Sequence, residues 1–156
     1  MKYRLKITDE ESKKEINVSE DEIIEVKYKI GLAEATNLAN SRSTVEMEIT
    51  GKIISNLENA GNNLNSENKS VNDDLYERNK KNIIDLVEWA ESYLQKSDYR
   101  NLEMFVDLGS NKKMDLKFTN MFVYNFLQEM SIEKGIGIFK LKLRQKFHQK
   151  NKLDIK

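Results

Sequence analysis

The stretch from Lys112 to Lys146, KKMDLKFTNMFVYNFLQEMSIEKGIGIFKLKLRQK, constrains the fold more than any other part of the chain. Met114, Leu116 and Phe118 recur at every second position, and Phe122, Tyr124 and Phe126 follow. Beyond a linker holding Gly135 and Gly137, Phe139, Leu141 and Leu143 alternate with Lys140, Lys142 and Arg144. A period of two sends successive side chains to opposite faces of a strand. One face is apolar and the other strongly cationic, the pattern of an antiparallel sheet with one wet face. A bulge between Phe118 and Phe122 would reset which side faces the core. Glycine tolerates positive φ, so the stretch is expected to form a long hairpin that turns at Gly135-Ile136-Gly137.

The rest of the chain supplies more strands and one helix. Tyr3, Leu5 and Ile7 alternate with Arg4 and Lys6; Asp9 to Lys14 reads as a polar turn, and Ile16 and Val18 as a short returning strand. Ile23 to Ile30 is rich in Ile, Val and Tyr, a third strand. Gly31 to Arg42 reads as a loop, and Thr44 to Ile53 alternates Val45, Met47 and Ile49 with Glu46, Glu48 and Thr50. Ser55 to Asp74 is asparagine-rich and aperiodic, and is expected to be a long loop ordered only by a neighbour. A helix is expected over about 75–94, because Ile83, Leu86, Val87, Ala90 and Leu94 share one stripe. Asp73 or Asp74 would cap its start, and Trp89 lies beside the stripe as a packing anchor. Leu102, Met104, Val106 and Leu108 alternate with charged residues, and Gly109-Ser110-Asn111 turns into the hairpin. Residues 147–156 read as a flexible basic tail. The fold class is therefore mainly β, a small antiparallel barrel or sandwich of about eight strands with one flanking helix.

Composition narrows the function. At 156 residues and 18.3 kDa a single domain is expected, long enough to bury a core without staples. There is no cysteine, hence no disulfide framework and no thiolate chemistry. Lys+Arg and Asp+Glu both number 26, which does not suggest a non-specific polyanion binder. The N-terminal MKYRLKITDEE lacks the apolar segment of a signal peptide, and no apolar run approaches a membrane span.

The residues that carry catalysis are hard to find. The lone His148 sits in the basic tail and cannot by itself build a metal site or serve a Ser–His–Asp arrangement. There is no HExxH, no GxxxxGK[ST] and no GxGxxG, and Gly135-Ile136-Gly137 reads as a turn. Glu46, Glu48, Glu103 and Asp107 could hide a carboxylate pair of the glycosidase kind, but their alternation with apolar residues fits a solvated or inter-subunit sheet face. Lys140, Lys142 and Arg144 could line a basic groove, yet their neighbours are aliphatic rather than stacking aromatics. No catalytic residue, cofactor-binding residue or metal ligand is singled out, and no specific nucleic-acid binding is expected.

Four segments carry a resemblance. They are Arg42-Ser43-Thr44 with Thr50-Gly51-Lys52-Ile53; Leu86-Val87-Glu88-Trp89-Ala90; Tyr99-Arg100-Asn101; and Leu116-Lys117-Phe118-Thr119-Asn120 with Phe122-Val123, Gly135-Ile136-Gly137 and Phe139 to Lys146. Together, over roughly Tyr3 to Lys146, they resemble a clostridial prophage-associated family that carries a "membrane-associated protease" label. More loosely they are similar to haemolysin-coregulated (Hcp) tube proteins and phage tail-tube proteins. The asparagine-rich segment Ser55–Asp74 is longer than that pattern, and no residues support the protease label.

The resemblance implies a small barrel with a flanking helix that assembles into stacked hexameric rings. The chain would be a tube, tube-initiator or baseplate component of a phage tail or contractile injection particle. Its partners would be further copies and other tail or baseplate proteins. It would be made in the bacterial cytoplasm and then carried in the particle. A hydrolase and a monomeric adaptor are the alternatives. Ring formation needs unlike patches that meet head to tail. The candidates are acidic Glu10, Glu11, Glu20, Asp21 and Glu22; Asn59, Asn62, Asn63 and Asn65 of the loop; and basic Lys140, Lys142 and Arg144. The other reading of the charged groups is two solvated runs.

Overall fold

The computed structural model describes residues 1–32, 43–54, 66–93, 98–133, 135–145 and 153–156. Its elements are β1 (Lys2–Thr8), β2 (Glu15–Val18), β3 (Ile23–Leu32), β4 (Ser43–Lys52), α1 (Ser66–Glu91), β5 (Arg100–Gly109), β6 (Lys112–Ser131), β7 (Ile136–Gln145) and β8 (Leu153–Ile155). The eight strands form one antiparallel sheet in the order β2-β1-β5-β6-β7-β4-β3, with β8 added to β6. Among the described residues the structure is mainly β with a single helix, as the periodicity implies, but the sheet does not close into a barrel.

Its two end strands, β2 and β3, are joined by only the residues Ser19–Glu22. Four extended residues reach about 14 Å at most. That short tether draws the ends of the sheet together and forces it to roll. Tyr28 on β3 consequently meets Phe118 on β6 edge to face, with ring centroids 5.6 Å apart. The rolled interior holds Leu5, Ile7, Met47, Ile49, Leu102, Leu116, Phe118, Phe139, Leu141 and Leu143, all buried.

The long strand β6 serves two long neighbours besides the short β8. Its first half pairs with β5 and its second half with β7. The ladder with β5 slips between Arg100 and Leu102, and Asn120 there takes φ 53°. Asparagine accepts this left-handed conformation better than most residues. The bulge lies where the sequence places it, but the core face that follows it differs. Met121 and Val123 turn inward, while Phe122 packs half-buried against Tyr99 and Tyr124 points outward. A second slip between Val123 and Asn125 returns Phe126 to the core side, stacked on Phe139. The bulge frees backbone groups that side chains then satisfy. The Asn120 N–H donates to Asn101 Oδ1 (3.3 Å), and Gln145 Nε2 donates to the Thr119 carbonyl (3.0 Å).

The Gly109-Ser110-Asn111 turn falls as expected, whereas the second turn comes earlier than Gly135-Ile136-Gly137, because Ile136 and Gly137 already belong to β7 and stand opposite Ser131 and Met130. Ser110 and Asn111 take φ 53° and 60° between β5 and β6, and Gly135 takes φ 61° between β6 and β7. Two positive-φ residues in succession give the twist that a short hairpin needs.

Two expectations need correction. Helix α1 starts at Ser66, so residues 66–74 of the expected loop are helical, and neither Asp73 nor Asp74 caps it. Helix extension adds one hydrogen bond per residue fixed, so a packed helix can propagate into polar sequence. The i,i+4 pair of Arg78 with Asp74 (3.2 Å) supports that turn. Residues 55–65 lie outside the described residues. At the other end, Leu153–Ile155 of the expected frayed tail forms β8 on Leu116–Phe118. Lys156 and Asp115 exchange two backbone hydrogen bonds of 2.9 and 2.8 Å there.

The buried face of α1 is Asn79, Asn82, Ile83, Leu86 and Trp89, rotated from the expected stripe so that Trp89 points inward and Val87 is half-exposed. Trp89 Nε1 donates to the Asp98 carbonyl (2.8 Å), and the Arg100 guanidinium lies 5.4 Å from its ring centroid.

Candidate assembly surfaces

The acidic group from the first part of the chain does not form one surface. Glu22 is only 1% exposed. Its carboxylate accepts hydrogen bonds from Asn79 Nδ2 (3.0 Å), Asn82 Nδ2 (3.1 Å), Ser19 N (2.8 Å) and Ser19 Oγ (3.0 Å). Asn79 extends the cluster, donating to the Lys52 carbonyl and accepting from the Ile54 N–H. Glu22 therefore docks α1 onto the β2–β3 turn and the end of β4. It is withdrawn from the candidate surface because its partners lie inside the subunit. Glu20 pairs with Lys2 (2.9 Å). Glu10 accepts from Asn101 Nδ2 (2.6 Å) and so braces the bulge of β6. Glu11 and Asp21 are exposed and form no ion pair among the described residues.

The basic group is also partly spent. Register places Glu46 opposite Arg144 and Glu48 opposite Lys142. Arg144 Nε lies 3.2 Å from Glu46, and Lys142 Nζ 3.7 Å from Glu48. Arg144 also covers the Tyr124 ring at 4.2 Å. Cross-strand pairs of opposite charge stabilise a sheet locally by a few tenths to about 1 kcal/mol. Lys140 stands opposite Thr50 and Leu127 and has no ion pair among the described residues. The other two hydrolase candidates stand on β5, in its ladder with β6: Glu103 pairs with Lys117 (3.6 Å), and Asp107 accepts the Gly109 N–H (2.9 Å). The four carboxylates are spread over two ladders of the outer sheet face; Asp107 alone of them lines a described depression, with Glu20 and Asp115. Asn59, Asn62, Asn63 and Asn65 lie outside the described residues.

A polar depression between α1 and the β1–β2 turn is lined by Asp9, Ser12, Glu88, Ser92 and Arg100. Asp9 is committed within its own turn. Burial works against its charge, but Ser12 Oγ (2.7 Å), the Glu11 N–H (3.1 Å) and nearby Arg100 outweigh it and hold the carboxyl below its ordinary range. Burial pushes the Arg100 guanidinium down, against the opposing pull of Asp9, Asp85 and Glu88.

The open surfaces are apolar, and the sequence reading missed them. Along β3, Val26, Tyr28 and Ile30 stand opposite Ile49, Met47 and Val45, on the core side of the sheet. Tyr28 and Ile30 are nevertheless 40% and 51% exposed, because β3 is the last strand on its side. A second apolar surface runs beside α1, where Ile53, Ile54, Tyr76, Ile83, Ile84 and Val87 line a groove. A third is the β6–β7 tip, where Met130, Ile132 and Ile136 are exposed. A trace of each lies in the sequence. Ile84 follows Ile83 on a helix whose buried stripe needs only one of them, and three large apolar residues flank the turn glycine Gly135.

No family model and no curated protein matches the chain. Solved structures do. Hcp1 from the E. coli EAEC 042 pathovar superposes with a TM-score of 0.57 at 9% identity, over 100% of this chain and 98% of that one. Hcp1 from Flavobacterium johnsoniae gives 0.51 at 12% identity, over 98% and 94%. The sheath/tube terminator of the PVC extracellular contractile injection system gives 0.50 at 8% identity, over 99% and 93%. The likeness spans almost the whole of each chain, so this chain has a fold similar to that of Hcp and contractile-injection-system proteins.

Proposed function

We propose that this chain is a structural subunit of a phage tail or phage-tail-like contractile injection particle, acting as tube, tube initiator or baseplate ring. It works by assembly and not by catalysis. Copies associate head to tail into hexameric rings that stack, are built in the bacterial cytoplasm and contact other tail or baseplate proteins. The sequence resemblance to a clostridial prophage-associated family fits this reading, and so does the fold shared with the Hcp proteins. The observation that carries it is β3. An end strand offers unpaired backbone groups to another chain. This one also leaves core-side Tyr28 and Ile30 uncovered. Covering that strand with a different edge of the next copy gives a heterologous contact, which closes into a ring when the rotation allows.

Light scattering and negative-stain microscopy of the purified protein test the proposal. A ring at six times the 18.3 kDa chain mass is expected. The substitution Ile30→Lys should leave the subunit folded, since the site is half-exposed, and should shift it to monomer. A parent protein that stays monomeric at high concentration refutes the assignment.

A further inference from the structure

The β6–β7 tip and the groove beside α1 are complementary surfaces that adjoin on one subunit, since Gln128 of β6 lines the groove and the tip projects away beyond it. The ladder between β4 and β7 ends at Lys52 and Ile138, with one further bond from the Ile53 N–H to the Gly137 carbonyl (2.8 Å), and beyond Gly137 the β6–β7 tip projects past β4. On that projection Ile132 is 101% exposed and Met130 73%, so neither packs against its own chain. The groove is apolar, with Ile53 and Ile54 on one side and Tyr76, Ile83, Ile84 and Val87 along the helix, and Gln128 of β6 at its edge. Apolar surface of this kind on two sites marks interaction surface.

Charge gives the pairing a direction. Two groove-lining residues are charged, Lys80 and Glu88. Glu88 is neutralised by Lys14 (3.7 Å), whereas Lys80 has no ion pair among the described residues. The groove rim is thus left with an ammonium. The tip sequence, QEMSIEKGIG, carries two carboxylates, Glu129 and Glu133, against one ammonium, Lys134. Neither carboxylate has an ion pair among the described residues. An apolar knob with an acidic excess matches an apolar groove with a basic rim.

We infer that the β6–β7 tip of one copy seats in the α1 groove of a second copy. The contact is heterologous, knob to groove, so each subunit keeps one free tip and one free groove and the contact repeats from copy to copy. This inference rests on the assembly reading above and adds which surfaces meet.

The chain has no cysteine, so engineered thiols are the only ones present. Ile132→Cys and Ile84→Cys each replace an exposed residue and should leave the fold intact. The two single variants are mixed, oxidised under assembly conditions and run without reductant, with light scattering on the same samples. The expected result is a disulfide-linked dimer in the mixture and monomer bands from either variant alone. A disulfide forms only when the two Cα atoms come within about 7 Å. Rings without a mixed dimer would show that another segment fills the groove; that outcome overturns the inference and leaves the assembly reading standing. A dimer from Ile132→Cys alone would show a symmetric tip-to-tip contact and also overturns it. Absence of both rings and cross-links overturns both.

Discussion

Replacing Glu22 by glutamine removes one charge and almost no volume, and it should undo the docking of α1. Every partner of this carboxylate is a donor: Asn79 Nδ2, Asn82 Nδ2, the Ser19 N–H and the Ser19 hydroxyl. Asn79 and Asn82 cannot be turned to suit. Asn79 holds the Ile54 N–H through Oδ1 (2.8 Å), and its Nδ2 also serves the Lys52 carbonyl (2.9 Å). Asn82 Nδ2 also serves the Asn17 carbonyl (2.8 Å). A glutamine NH2 placed on the Asn side faces two amide donors; placed on the Ser19 side it faces a backbone N–H that has no alternative. Either way at least one buried donor is left unsatisfied, at about 1–3 kcal/mol, and a donor–donor contact is added. The expected loss is roughly 2–4 kcal/mol. For a chain of this length each kcal/mol moves Tm by about 2–4 °C, so the melt should fall by about 5–15 °C. Chemical denaturation of parent and Glu22→Gln at equal protein concentration measures it directly. A difference under about 0.5 kcal/mol would refute the reasoning and reduce the cluster to incidental contacts.

Three further outcomes follow from packing and charge. Gly51→Ala should cost about 1–3 kcal/mol in a denaturant melt, because a Cβ at Gly51 would overlap the Phe139 ring, which has no room to retreat. Leu141→Asp should leave the chain unfolded by circular dichroism, since it puts an unpaired carboxylate at a site 1% exposed, at a cost of several kcal/mol. Asp9→Asn should narrow the gap to the parent as the solution is acidified. A carboxyl held below its ordinary value adds stability above its unfolded pKa and loses it as pH falls through the folded one. The parent's advantage in melts should therefore be full at neutral pH and shrink below about pH 4.

The strands were legible because their periodicity is local. Phe139, Leu141 and Leu143 announce a buried face without reference to anything else, and that face is buried. The second half of β6 misled because apolar residues occupy both parities. Met121, Phe122, Val123 and Tyr124 run in succession, and only the slip at Asn120 decides which of them enters the core. The start of α1 was hidden for a similar reason. Nothing in residues 66–74 is apolar enough to mark a face, so its helicity is borrowed from the packed turns beyond it. Glu22 shows the limit most plainly. Ser19-Glu20-Asp21-Glu22 reads as uniform acidic surface, and the residue that is buried is chosen by two asparagines about sixty positions away.

The same registers change what kind of contact the proposed assembly would use. From the sequence, an acidic first part and a basic last part invite a ring closed by charge. The structure spends much of that charge within the subunit: Glu46 and Glu48 neutralise Arg144 and Lys142, Glu20 neutralises Lys2, and Glu22 is sealed inside. Exposed pairs of this sort contribute little to stability, but they leave the outer sheet face nearly neutral and poor at attracting a charged partner. What remains uncovered is apolar: the core side of β3, the groove beside α1 and the tip beyond Ile138. Burial contributes about 25 cal/mol for each Å² of apolar surface removed from water, and it is insensitive to screening at the distances where surface charges fade. An assembly built on these surfaces should keep its size in concentrated salt. One closed by the charges of β7 would come apart.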